Sequence, residues 1–255
     1  MLNITHTSGF FSCCSSKLTD IVSYFNKNKK LPKIIDTKEQ FSLYKQNNRK
    51  DDITFNYFKY NDDEIKYSSY VDYHWMYQFC DYKKLNYNMI LPFVKKYFGI
   101  TEEIQNIINT IEIKYNLDYS NICVLFHRGN DKCTETRLCN YNDTIYQANK
   151  IKANNPNIIF LIQSDETEFI NTMLNLFPNS IYFKDEIRHI NKMKTSVDIV
   201  YKNTNYEYSK KYLAITVIMS KCKYIICGSG NCSIWIMFYR GHTNNVVQYL
   251  EGVWL

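Results

Sequence analysis

The 255-residue sequence predicts an α/β protein with parallel, doubly wound sheets in two lobes, the first of them reduced. Three observations carry that expectation. From Ser120 onward, short apolar runs alternate with stretches of helical spacing, the order that builds parallel β-α-β units. The first of those runs, Ile122-Cys123-Val124-Leu125-Phe126, is continuous rather than alternating, as a strand buried on both faces requires. The N-terminus opens in the same sense, with a β-prone stretch (2–7), a glycine turn at Ser8-Gly9 and then a helix. These signals divide the chain into lobes at 1–117 and 118–255.

Taken in order, the first helix is read from Leu18, Ile21, Val22 and Phe25, with Ser15 or Ser16 as its N-cap. A second short strand is expected at 33–36 and an extended, alternating stretch at 53–60, while 62–87 is Tyr-rich and reads as irregular. A helix starts at Leu91-Pro92 and is closed by Gly99. Thr101-Glu102-Glu103 caps another, with Ile104, Ile107, Ile108 and Ile111 on one face. In the second lobe, strands are expected at 122–126, 158–162, 181–183, 224–227 and 245–249, and helices at 143–153, 166–177, 208–220 and 233–239.

Composition narrows the function. The chain carries 23 Tyr and a net charge of +6, but its lysines are dispersed. No basic stripe is present of the kind that neutralises many phosphates, so a nucleic-acid partner is not expected. The 9 Cys sit mostly in apolar runs and no CxxC occurs, which suits buried, reduced thiols and no structural zinc. No signal-peptide pattern and no apolar run of about 18 residues is found. The expectation is a cytoplasmic protein without a membrane span. The first strand is not followed by GxGxxG, which disfavours a dinucleotide oxidoreductase.

In an open parallel sheet, ligands bind at the carboxyl ends of the strands. Four such ends hold Gly9, Gly129, Gly228 and Gly230, four of only 7 glycines, and glycine permits tight turns beside a ligand. Gly228-Ser229-Gly230-Asn231-Cys232-Ser233 joins a strand to a helix. Its amides could meet a diphosphate at the positive end of the helix dipole, or it could be a capped turn and nothing more. His127-Arg128-Gly129-Asn130-Asp131-Lys132 brings two fixed cations and a carboxylate out of a buried strand. Arg can hold a diphosphate in a fork and Lys adds a point charge. The bland alternative is a surface turn with local ion pairs.

These residues carry a resemblance. Residues 122–183 and 212–249 resemble the carboxyl-terminal, donor-binding half of the GDP-fucose fucosyltransferase superfamily, whose motif H-x-R-R-x-D-K/Y follows a buried strand. Laid on without gaps, Arg128 stands at the first Arg, and Asp131 and Lys132 match. Phe126 stands at the family's His, Gly129 at its second Arg, and His127 lies one place off. The run ending Gln163-Ser164-Asp165-Glu166 looks like the family's T-D-D/E strand end, and 220–233 looks like its strand and serine-rich phosphate loop. The whole chain also looks like the small glycosyltransferase-like proteins of giant DNA viruses, which would make the location a host cytoplasm.

The resemblance implies a GT-B-like fold of two Rossmann-like lobes and transfer of a sugar, fucose from GDP-fucose above all, to a glycan or protein acceptor with inversion. No cofactor or metal is implied. Arg128, Asp131 and Glu135 become the catalytic candidates, with Glu135 as the base from the second lobe and the first lobe as the alternative source of one. His127, Lys132, Asp165 and Gly228, Ser229, Gly230, Asn231, Cys232 and Ser233 become the donor-binding ones. Gly9, Phe10 and Phe11 form an acceptor-side loop. The lost motif His and second Arg leave an alternative, an inactive nucleotide- or glycan-binding module. If the site is solvent-accessible, Arg128→Ala is expected to fold within about 1 kcal/mol of the parent.

Overall fold

Continuous apolar runs become strands where both faces can be covered. In the computed structural model, which describes residues 1–46, 50–61 and 66–255, the chain opens with β1 (Leu2–Asn3), α1 (Phe10–Asn28) and β2 (Ile35–Asp36). Next come β3 (Phe58–Lys59), α2 (Tyr87–Tyr97), β4 (Gly99–Ile100) and α3 (Glu102–Tyr115). The regular part then runs β5 (Ile122–His127), α4 (Tyr141–Asn154), β6 (Ile159–Ser164), α5 (Thr167–Leu176), β7 (Ile181–Tyr182), α6 (Val197–Val200), α7 (Asn205–Lys221), β8 (Tyr224–Gly228), α8 (Asn231–Arg240), β9 (Val246–Leu250) and β10 (Val253–Trp254).

The main sheet has the order β10-β9-β8-β5-β6-β7. All neighbours are parallel except β10, which turns back on β9. All six residues of β5 are buried. From β5 the chain first winds outward through β6 and β7, then returns to lay β8 and β9 on the other side. The winding therefore reverses between β5 and β8, and the crevice outside the carboxyl ends of two such strands is where doubly wound sheets hold ligands. Those ends are His127 and Gly228.

In the first 117 residues the parallel sheet is reduced to the two-residue pair β1–β2. The stretch 53–60 forms a strand only at its end, because Thr54–Asn56 winds into a 3₁₀ turn. Aromatic packing fills the place of a sheet. Phe10 makes edge or tilted contacts with Phe41, Tyr44 and Tyr57 at centroid distances of 4.9–5.6 Å. One apolar core runs through both halves, and the fully buried Trp235 of α8 donates its Nε1–H to Ser15 Oγ at 2.9 Å.

Some element ends differ from the sequence reading. α1 starts at Phe10 with Gly9 as N-cap, not behind Ser15 or Ser16. Phe10, Phe11, Cys13 and Cys14 are all buried and extend the apolar face upstream. α2 starts at Tyr87, capped by the Asn86 side chain, so Pro92 lies inside it. α6 and β10 were not anticipated. Asp62 and Asp63 lie outside the described residues.

Candidate functional site

The end of β5 is fixed by buried ion pairs. His127 is 4% exposed, with its Nε2 3.1 Å from Glu166 Oε2 and its ring stacked on Phe169 at 4.6 Å. Burial opposes its charged form, yet the Cys139 thiol and the Glu166 carboxylate outweigh burial and its pKa is pushed up to about 9. Glycine at 129 leaves room for this pair, since a Cβ there would stand 2.0 Å from the Glu166 carboxylate and would have to displace it. His127 thus braces the loop from beneath.

Arg128 follows on the opposite face. Its Nε donates to Asp165 Oδ2 at 2.9 Å, its Nη1 to the Tyr212 hydroxyl at 3.0 Å and its Nη2 to Asp131 Oδ1 at 3.1 Å. Asp165 is 4% exposed, and its other oxygen accepts the Gly129 N–H at 2.9 Å. Lys132 pairs with Glu135 and stands 5.7 Å from the centre of the Phe79 ring. Asp131, Glu135 and Asp165 therefore hold the two cations in place. Removing Arg128 would strand a buried carboxylate, so a cost larger than about 1 kcal/mol is expected of Arg128→Ala.

The second loop is shorter than the sequence suggests. Only Ser229 and Gly230 separate β8 from α8, and Asn231, Cys232 and Ser233 are the first turn of the helix. Gly230 has φ 153° and ψ 172°, a region open essentially to glycine alone. The side chains of Cys232 and Ser233 are buried, so their offer to a ligand is the main-chain N–H. Ser229 Oγ donates to Tyr249 O and accepts from Gln248 Nε2, both at 2.8 Å. α8 has no side-chain cap and no acid in its first turn. α1 likewise has no cap from its own N-cap residue and no acid in its first turn, but its Phe10 N–H is already donated to the Tyr44 hydroxyl at 2.7 Å. Both ends keep the positive pole of the helix.

The two helix starts meet at one cleft of about 410 Å³, inside the size range of ligand pockets. It is bordered by Gly9, Phe10 and Phe11, by Arg128, Asp131, Lys132 and Glu135, and by Asn231 and Cys232. The rings of Phe10 and Phe11 go into the core, at 1% and 3% exposure, so this edge is main chain with Ser8 and Ser12 beside it. His127, Gly228, Ser229, Gly230 and Ser233 line a smaller space of about 20 Å³ behind Arg128. Asp165 borders a third, of about 40 Å³. Arg128 is a wall of all three.

Sequence reasoning missed Gln78 and Tyr82, which join the Tyr-rich stretch to this site. Trp75 and Gln78, on a 3₁₀ turn (Trp75–Phe79), line the cleft. The buried Tyr82 hydroxyl accepts the Gly230 N–H at 3.0 Å and lies 2.9 Å from Gln78 O and 3.1 Å from Gly230 O. Gln248 completes the clip through Tyr82 N at 3.0 Å and Cys80 O at 2.8 Å. The Gly230–Tyr82 bond spans 148 positions, and among 23 tyrosines nothing in the sequence marks Tyr82. Among the described residues no cluster of three or more His, Cys, Asp or Glu is placed to hold a metal ion, and no helix is long and apolar enough to cross a membrane.

No protein-family model and no curated protein matches the sequence. Among solved structures, the chain is similar to NodZ α-1,6-fucosyltransferase co-crystallised with GDP, at 11% identity over 64% of this chain and 49% of that one, with a TM-score of 0.45. The same enzyme soaked with GDP-fucose gives 11% identity, 64% and 50% coverage and a TM-score of 0.45. Fucosyltransferase NodZ from Bradyrhizobium gives 13% identity, 57% and 44% coverage and a TM-score of 0.41. The chain spans about half the length of these structures.

Proposed function

We propose that the cleft binds a GDP-sugar and transfers its sugar, fucose in our reading, with inversion to a hydroxyl of a glycan or protein acceptor. The nucleotide would rest on the lobe of residues 118–255 and the acceptor would enter from that of residues 1–117. One observation carries the reading. At the point where the sheet's winding reverses, Arg128, Lys132 and the start of α8 face the start of α1 across a single cleft. That is a setting for a diphosphate, whose charge the helix poles, main-chain N–H groups and cations would all stabilise. The guanosine and fucose assignments rest on the motif resemblance of Arg128, Asp131 and Lys132.

In the step so assigned, an acceptor oxygen forms its bond to the anomeric carbon. The bond from that carbon to the diphosphate breaks, and its electron pair leaves with GDP. The acceptor proton passes to a carboxylate, Glu135 or Asp131, both of which border the cleft. The developing charge on the leaving group would be met by Arg128 and the N–H groups of α8. Titration calorimetry with GDP-, UDP- and dTDP-sugars tests this. Heat with the GDP-sugar is expected, and binding of UDP-sugars alone would overturn the guanosine assignment.

A second reading, a nucleotide- or glycan-binding module without transfer, is favoured by the bonding of Arg128. Three of its nitrogens are already committed to Asp165, Tyr212 and Asp131. Hydrolysis of the sugar nucleotide without acceptor separates the two, since a pure binding module shows none above blank.

A further inference from the structure

Two side chains at the cleft carry polar atoms that the fold leaves without partners. Gln78 is 3% exposed and Asn231 8% exposed, and both border the cleft. Gln78 Oε1 and Asn231 Oδ1 are buried and accept no hydrogen bond among the described residues. An orphaned buried acceptor typically costs about 1–3 kcal/mol, which a donor from water or from a ligand in the cleft would relieve. Both are acceptors, and a phosphate, which offers only acceptor oxygens, does not satisfy them. They match a ligand rich in hydroxyl donors.

Beside them stands Trp75, 43% exposed and also on the cleft. Trp is normally well buried, and an indole left open presents a large, rigid apolar face. Its turn is held in place, since Tyr82 ties Gln78 O to Gly230. A flat apolar face next to fixed carboxamides fits a pyranose ring, which has one apolar C–H face and a rim of hydroxyls. We infer that Trp75, Gln78 and Asn231 form a saccharide subsite, and hence that the acceptor is a glycan rather than a protein side chain. The inference rests on the transferase reading for the word acceptor, but the subsite itself does not.

The test is glycan-array binding by the native chain and by Trp75→Ala, Trp75→Phe and Gln78→Met, with GDP titrated into the same four proteins. The native chain is expected to bind a set of array glycans. Trp75→Ala should weaken that binding about tenfold or more, the scale of one lost aromatic contact, and Trp75→Phe should retain most of it. Gln78→Met keeps the volume and removes the orphan acceptor. It should lose glycan binding while melting no lower than the parent, an outcome that a merely structural glutamine does not give. Absence of glycan binding by the native chain, or unchanged binding in Trp75→Ala, overturns the subsite. So does loss of GDP affinity in Gln78→Met, which would give these oxygens to the nucleotide ribose. Glycan binding without GDP binding removes the transferase reading and keeps the subsite. GDP binding without glycan binding does the reverse.

Discussion

Arg128, at the end of β5, and Lys17, in the middle of α1, are both cations drawn out of water, one in each half of the chain. Arg128 has Asp165, Asp131 and Tyr212 on its three nitrogens. Lys17 is fully buried, and among the described residues its Nζ has no hydrogen-bond partner. The rings of Tyr60 and Phe98 lie beside it, at 5.1 and 5.3 Å. Burial depresses its pKa to about 8, with weak opposing support from Cys14 and Asp52. The sheet half thus places charge with matched geometry at a strand end beside a cleft, which is how functional charge is held. The first half absorbs a charge into an aromatic core, where it is a burden on stability.

The largest effect that could break this contrast is at Arg128. Arg128→Ala strands the buried Asp165 and should lower unfolding free energy by about 3–5 kcal/mol, read by urea denaturation. GDP binding should fall with it, and Arg128→Lys should not restore either, since a point charge does not reproduce the fork. Unchanged stability and GDP affinity in Arg128→Ala would make the pair network ornamental. Next is Gly129→Ala, whose methyl would collide with Glu166 at 2.0 Å. It should destabilise by about 3 kcal/mol, the upper part of the range for overpacking, and displace the His127–Glu166 pair.

Lys17 should respond in the opposite direction. Lys17→Met removes an unpaired buried charge at similar volume and should stabilise by about 2 kcal/mol at neutral pH. The pH dependence follows from its sign. Its folded pKa of about 8 lies below the ordinary 10.5, so between those values the unfolded chain holds more protons and stability rises with pH. Below pH 8 the full penalty applies. The stability difference between Lys17→Met and the parent should therefore shrink from pH 8 towards 10.5, and a constant difference over that range would show that Lys17 keeps its ordinary pKa and stays charged in the fold. The smallest expected effect is at the clip between the halves. Tyr82→Phe leaves the buried Gly230 N–H without its acceptor and should cost about 1–2 kcal/mol, with weaker glycan binding through the loosened Trp75 turn.

How far the sequence reached follows the same division. The runs at 122–126 and 158–162 were legible because a strand buried on both faces needs unbroken apolar residues. β5 and β6 extend only a residue or two beyond them. The two loops at the winding reversal were legible because Gly129 makes room for the Glu166 carboxylate and Gly230 takes a backbone conformation that glycine favours. Their glycines stand out in a chain that has few. The start of α1 was misplaced because Ser15 looks like a cap but serves Trp235, 220 positions away.

What the sequence by itself determined is the alternation of strand and helix, and the strand ends where ligand chemistry would gather. Those are local properties, set by burial period and backbone freedom. Only the tertiary structure decided that Arg128 is bonded on three sides, that His127 faces the core, and that Trp75, Gln78 and Tyr82 stand beside Gly230. Apart from the local Arg128–Asp131 bond, the pairings that fix them join residues from about 40 to 150 positions apart. Such pairings leave no periodic trace in either partner, because a hydrogen bond selects a position in space and not a spacing along the chain.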